Sequence, residues 1–257
     1  MIEVQNICKS FDDKEVLKNI STRFDKGKTN LIIGRSGSGK TVFMKTLIAL
    51  IRPDSGKILY DKRNLTTMNL KELKMLRREM GMLFQGSALF DSMTVLENVS
   101  FPLTMFSDMT RKEREKRAKF CLERVNLIDA DDLYPAEISG GMMKRVAIAR
   151  AIALNPQYLF CDEPNSGLDP KTSLLIDDLI HDITKEYNIT TVINTHDMNS
   201  VMNIGEQIMF IDDGEIAWEG DKNGIMTSNN ERLNDFVFAS DLFKKVKEVE
   251  NWSNEEG

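Results

Sequence analysis

The chain has 257 residues, 41% hydrophobic and 29% charged, enough to bury a full core, and this excludes a disordered or fibrous protein. Its 34 Lys and Arg against 40 Asp and Glu leave a net charge of −6, which argues against broad electrostatic binding of nucleic acid or anionic lipid. The longest apolar run, 42–51, is interrupted by Lys45 and falls well short of the roughly 20 residues that a membrane-crossing helix needs. Glu3 with no apolar stretch after it speaks against a secretory leader, and Cys8, Cys121 and Cys161 lack CxxC or metal-ligand spacing. A cytoplasmic chain with reduced, packed thiols is the expectation.

In chain order, alternation at Ile2, Val4 and Ile7, an Asp12-Asp13 turn and a second run from Val16 predict a small antiparallel sheet. Leu31, Ile32 and Ile33 form a buried run of parallel-strand type, which stops at a Gly/Ser cluster and gives way to an apolar helix over 41–50. A turn at 53–56 follows, and then strands over 57–60 and 80–84 flank a helix over 70–78. From 86 to 155 the pattern is helical only, over 94–106, 110–126 and 139–154, with Val146, Ile148, Ala149 and Ile152 marking one apolar side of the last helix. Strands return at 158–161, 190–194 and 207–211, the last joined by an Asp213-Gly214 hairpin to 216–218. The pattern predicts an α/β fold with a mainly parallel sheet, an antiparallel β subdomain at the amino end and an inserted helical subdomain.

The strongest chemical signal is Gly34-Arg35-Ser36-Gly37-Ser38-Gly39-Lys40-Thr41, a G-x-x-x-x-G-K-[ST] phosphate loop between a buried strand and a helix. Its glycines let backbone N–H groups curl around a β-phosphate, Lys40 offsets β/γ charge, and the Thr41 hydroxyl can ligate Mg2+. The run 158–161 ends in Asp162, suited to hold the metal, and Glu163, placed to polarise an attacking water. Ser139-Gly140-Gly141 opens the helix over 139–154 as a second anion-binding terminus. Two such termini cannot easily serve one nucleotide within one chain, so a head-to-tail dimer is the economical arrangement.

These motifs, in this order, make the chain resemble an ABC-family ATPase, the nucleotide-binding subunit of a transporter, over residues 1 to about 220. The resemblance implies a homodimer that binds ATP and Mg2+, in which Ser139 and Gly141 touch the γ-phosphate of the ATP held by the other subunit. It further implies that Gln85 joins Mg2+ to an integral-membrane permease, that His196 is the switch histidine near the γ-phosphate, that Asp169 faces the dimer partner, and that Phe11 stacks on adenine. The ATPase domain is expected over 1–225, with 86–155 as its helical insert. A carboxyl-terminal extension over 226–257 is expected to hold a short amphipathic helix around Leu242, Phe243, Val246 and Val249 and a frayed end. Membrane contact is expected only through the permease, on the cytoplasmic face of the inner membrane.

Met142, where most of the family has Gln, and the segment 86–90 are similar to ATPases of Mla/Mce-type lipid-trafficking systems. Asn98-Val99 and Pro102-Leu103 are shared with methionine-type and lipoprotein-releasing ABC ATPases, which are the alternatives, with a non-transport ABC ATPase behind them. No N-K-x-D motif suggests guanine recognition.

Overall fold

The computed structural model describes residues 1–238. Asp12, at φ 49°, lets β1 (Ile2–Phe11) reverse tightly into β2 (Lys14–Phe24), because a short polar side chain tolerates the left-handed region. β1 pairs antiparallel with β2 on one side and β4 (Ser55–Tyr60) on the other, and β5 (Arg63–Asn64) completes a four-stranded sheet. Ile2, Ile7, Leu17 and Ile58 turn inward and share one core cluster with Phe43 and Leu47 of α1 (Lys40–Leu47) and Leu76 of α2 (Leu70–Arg78). α1 stops short of the expected residue 50 because Ala49, at φ 56°, turns the chain and the N–H groups of Leu50 and Ile51 fold back onto the Lys45 carbonyl.

β3 (Thr29–Ile33), β7 (Tyr158–Asp162) and β8 (Thr190–Asn194) are buried at every position, so their sequences do not alternate, and the polar Thr29, Asn30, Thr190, Thr191 and Asn194 are buried beside the apolar residues. With β6 (Met80–Leu83), β9 (Gln207–Asp212) and β10 (Glu215–Gly220) they form a six-stranded sheet in the order β10-β9-β3-β8-β7-β6. Neighbours are parallel except β10, which turns back from β9 through Asp213 and Gly214, both at positive φ as a tight hairpin requires.

α3 (Val95–Phe106), α4 (Arg111–Arg124) and α5 (Gly140–Ile152) follow one another with no strand between them. Capping boxes open the first two, Thr94 with Glu97 and Thr110 with Glu113. α5 departs from the expected one-sided pattern: Lys144, Ala147 and Ala151 are buried along with Val146, Ile148, Ala149 and Ile152, because α3, α4, β6 and α6 (Pro170–Glu186) all pack against it. α7 (Met198–Ile204) follows β8. α8 (Lys222–Thr227) straddles residue 225, and Leu233 and Val237 of α9 (Glu231–Val237) join the second core cluster with Ile225 and Phe238. The segment around Leu242 to Val249 and the end of the chain lie outside the described residues. Among those described, no helix is long and apolar enough to cross a membrane.

Asp177 of α6 is 1% exposed and accepts the Asn165 amide at 2.8 Å. Burial, reinforced by the charges of Asp197 and Asp178 and opposed by hydrogen bonds from Ser200 and Asn165, pushes its carboxyl up to about 6. A carboxyl whose folded pKa lies above its unfolded value of about 3.9 favours the fold while protonated; that contribution is complete below about pH 4 and is lost as pH rises through 6. Asp177→Asn, which keeps an acceptor without the charge, is therefore expected to gain up to about 2 kcal/mol over the wild-type chain at pH 7.5 and nothing near pH 4. Urea titrations at the two pH values check this, and equal gains at both would refute it.

Candidate active site

β3, β8 and β7 lie side by side and parallel, so their carboxyl ends open on one edge of the sheet, where α/β folds place ligands. Gly34 leaves β3 so close to the neighbouring strand that a Cβ there would sit 2.2 Å from the Ile211 carbonyl oxygen, and only glycine fits. Gly39, at φ 106°, is the N-cap of α1, and the loop thereby gathers the free N–H groups of the helix's first turn. Lys40, 7% exposed, donates to the carbonyls of Gly34 at 2.7 Å and Arg35 at 3.0 Å. Burial lowers its ammonium pKa, while the charges of Glu163 and Asp162 oppose that shift.

Asp162 ends β7 almost fully buried and accepts the Asn194 amide at 3.1 Å. Glu163 stands at φ 49°, a conformation that costs a non-glycine residue about 1–2 kcal/mol, and its N–H is held by the Asn194 carbonyl at 3.0 Å. That bend brings Glu163 Oε2 within 2.8 Å of His196 Nδ1, beyond the end of β8. Gln85, after β6, donates to Ser166 Oγ at 3.3 Å. Gly34, Arg35, Ser36, Gly37, Gly39, Lys40 and Thr41 line one cavity of about 630 Å³ together with Gln85, Glu163 and His196. Residues from four separate stretches of chain thus meet at one point.

Thr41, Gln85 and Asp162 offer hydroxyl, amide and carboxylate oxygens, a hard donor set that fits Mg2+. Two buried oxygens nearby, Ser38 Oγ on the loop and Asn194 Oδ1 on the residue that binds Asp162, have no hydrogen-bond partner among the described residues.

Other expected residues lie outside this cavity. Ser139 caps α5 at the surface, accepting the Met142 N–H at 3.3 Å; Gly140 is exposed beside it. Gly141 packs on the start of α6, where a Cβ would meet Thr172 Cγ2 at 2.7 Å. Asp169 caps α6 by accepting the Thr172 N–H at 3.0 Å, and the Thr172 hydrogen bonds hold its carboxyl below the usual range. Phe11 is 43% exposed, with the Lys9 ammonium 5.2 Å over its ring. Two residues at the site escaped the sequence reading. Phe236 of α9, stacked on Phe210 with ring centroids 5.2 Å apart, lines the cavity although no motif marks the tail. Lys144 donates to the Gln85 carbonyl from inside a helix whose periodicity predicted only packing.

Residues 17–166 match the family model described as ABC transporter. The methionine import ATP-binding protein of Carboxydothermus hydrogenoformans is 41% identical over 223 residues, 86% of this chain and 66% of the relative. The corresponding protein of Clostridioides difficile is 36% identical over 237 residues, 92% of this chain and 74% of the relative. The chain therefore spans about two thirds to three quarters of the length of these relatives. Among solved structures, the dimeric bacterial ABC transporter cassette MJ0796 superposes with a TM-score of 0.79 at 34% identity, covering 86% of this chain and 98% of that one. CbiO1 of Clostridium perfringens, part of an ABC transporter complex, gives a TM-score of 0.82 at 26% identity over 97% and 98% of the two chains.

Proposed function

The chain belongs to the ABC transporter family, and we propose that it is the ATP-hydrolysing subunit of a membrane transporter, acting as a head-to-tail pair of copies. The supporting observation is the cavity in which the 34–41 loop, Gln85, Glu163 and His196 meet while Ser139 lies exposed at a different helix start. In this reading the loop N–H groups and Lys40 bind the β- and γ-phosphates. Glu163 orients the attacking water and takes its proton, and His196 holds the Glu163 carboxylate through Nδ1. Thr41, Asp162 and Gln85 would hold Mg2+, which would supply positive charge to the phosphate oxygens. Ser139 and Gly141 meet the nucleotide of the other copy, Asp169 faces that copy, and Phe11 presents the ring face not covered by Lys9 to adenine.

Beside Gln85 an apolar groove of about 500 Å³, lined by Met80, Met82, Phe84, Phe90, Phe101 and Phe106, is suited to receive an integral-membrane permease. That docking places the chain on the cytoplasmic face of a membrane. The relatives favour a methionine-type importer as the transporter served. A second reading, phospholipid transport with an Mla/Mce-type permease, is favoured by Met142 and the 86–90 segment, in which Ser87 and Ala88 take positive φ. Copurifying the permease from solubilised membranes and reconstituting the complex in vesicles separates the two: ATP-driven uptake of labelled methionine supports the first, transfer of labelled phospholipid the second. A chain that isolates with no membrane partner would overturn the transporter proposal.

A further inference from the structure

Lys144 is an unusual residue to find in a packed helix: it is 4% exposed, and no carboxylate lies within salt-bridge distance of it among the described residues. Its ammonium donates to the peptide carbonyl of Gln85 and reaches that of Glu163 at 3.5 Å. A buried cation satisfied by backbone carbonyls alone is costly, and losing the Gln85 carbonyl would leave it with only the 3.5 Å contact to Glu163, so Lys144 and Gln85 are held together. Burial depresses its pKa, with the charges of Glu163 and Asp162 among the influences opposing that shift.

This link spans two parts of the fold. Gln85 follows β6 and Glu163 follows β7, both in the sheet, whereas Lys144 sits on α5, whose N-cap is Ser139. Further along the same helix Arg150 donates to the carbonyls of Ser87 at 2.6 Å and Ala88 at 2.7 Å. Ser87 and Ala88 stand at φ 61° and 48°, so the stretch after Gln85 is a strained turn held in place by α5. Lys144 thus ties α5 to the backbone of Gln85 and Glu163, and Arg150 ties it to the adjoining turn.

We propose that Lys144 is a positioning residue that links the two ATP sites of the pair: when Ser139 engages the other copy's nucleotide, Lys144 carries that engagement along α5 to the Gln85 and Glu163 loops of its own copy. This rests on the proposed head-to-tail pair. The coupling requires donors at the Lys144 position and not merely bulk, since a methionine of similar length fills the space and makes neither hydrogen bond.

The test compares Lys144→Met and Lys144→Gln with the wild-type chain for ATP affinity, melting temperature, kcat and the Hill coefficient of hydrolysis. Wild-type cooperativity is expected to approach a coefficient of about 2, the number of sites. Lys144→Met should bind ATP as wild type does, fall to a coefficient of about 1 and lose at least about tenfold in kcat, the rate equivalent of one charge-assisted hydrogen bond. Lys144→Gln, which restores one donor, should recover part of both. Wild-type cooperativity in Lys144→Met overturns the inference, and so does a joint loss of affinity, melting temperature and kcat that Gln does not rescue, since that marks a packing role. The pair itself is read separately, from the mass of Glu163→Gln in ATP: a monomer there overturns the pair and this inference together, and a dimer with cooperative Lys144→Met overturns the inference alone.

Discussion

Glu163→Gln is expected to bind ATP within about threefold of the wild-type affinity and to hydrolyse it about a thousandfold more slowly. The reason lies in what the substitution keeps. Glutamine has the same shape, can hold the left-handed backbone at φ 49° no worse than glutamate, and leaves the Asn194 carbonyl bonded to the residue 163 N–H. What it removes is the carboxylate that faces His196 Nδ1 at 2.8 Å and that, in the proposed mechanism, accepts the water's proton. Single-turnover hydrolysis beside equilibrium binding checks both halves. Near-normal turnover would remove Glu163 from the role of base, and lost binding would mean that the substitution had disturbed the loop. Because the bound triphosphate then persists, the same variant is expected to accumulate as an ATP-bound dimer, visible by light scattering.

The second large effect is at Lys40. Lys40→Ala is expected to weaken ATP binding at least about 100-fold, since an ammonium on two phosphate oxygens makes two charge-assisted hydrogen bonds worth about 1.5–3 kcal/mol each. Burial lowers its pKa, and negative phosphate charge opposes that shift in the same sense as Glu163 and Asp162 do. Lys40 also donates to the Gly34 and Arg35 carbonyls, and its removal frees two loop acceptors to water. Isothermal titration gives the affinity, and thermal melting without nucleotide shows whether the fold has kept its stability. Ordinary ATP affinity in a folded Lys40→Ala protein would contradict the phosphate-loop assignment.

Much of the architecture was legible because local chemistry and tertiary packing agree. The parallel strands β3 and β7 read as buried from the apolar runs 31–33 and 158–161, and the helix Leu70–Arg78 is predicted with the bounds observed, its N-cap Asn69 and Glu72 forming a capping box. The 213–214 turn followed from its Asp-Gly chemistry. Where the reading failed, packing overrode the local signal. The sequence reading continues α1 to residue 50, since nothing in 48–50 breaks a helix, but Ala49 takes a left-handed turn and the N–H groups of Leu50 and Ile51 fold back onto the Lys45 carbonyl. α5 reads as amphipathic from Val146, Ile148, Ala149 and Ile152, but Lys144 and Arg150 of the same helix donate to backbone carbonyls of neighbouring segments that periodicity cannot see. The lipid-transport preference rests on Met142 and the 86–90 segment, whereas the similarity to a methionine import protein extends over 86% of the chain.

The sequence by itself determined the chemistry on offer: a glycine-rich loop with Lys40 and Thr41, an acidic pair at a strand end, a second Ser-Gly-Gly helix start, and the ABC family to which they point. Residue type and spacing suffice for that, because phosphate cradles and strand-end carboxylates are built within a few consecutive residues. Only the tertiary structure decided which of these groups share a cavity. Glu163 meets His196 and Gln85 approaches the phosphate loop because β6, β7, β8 and β3 are neighbours in the sheet although far apart in the chain, Phe236 lines the cavity by stacking on Phe210 of β9, and Ser139 is carried away on α5. Strand order is a property of how the whole core packs, and no stretch of sequence contains it.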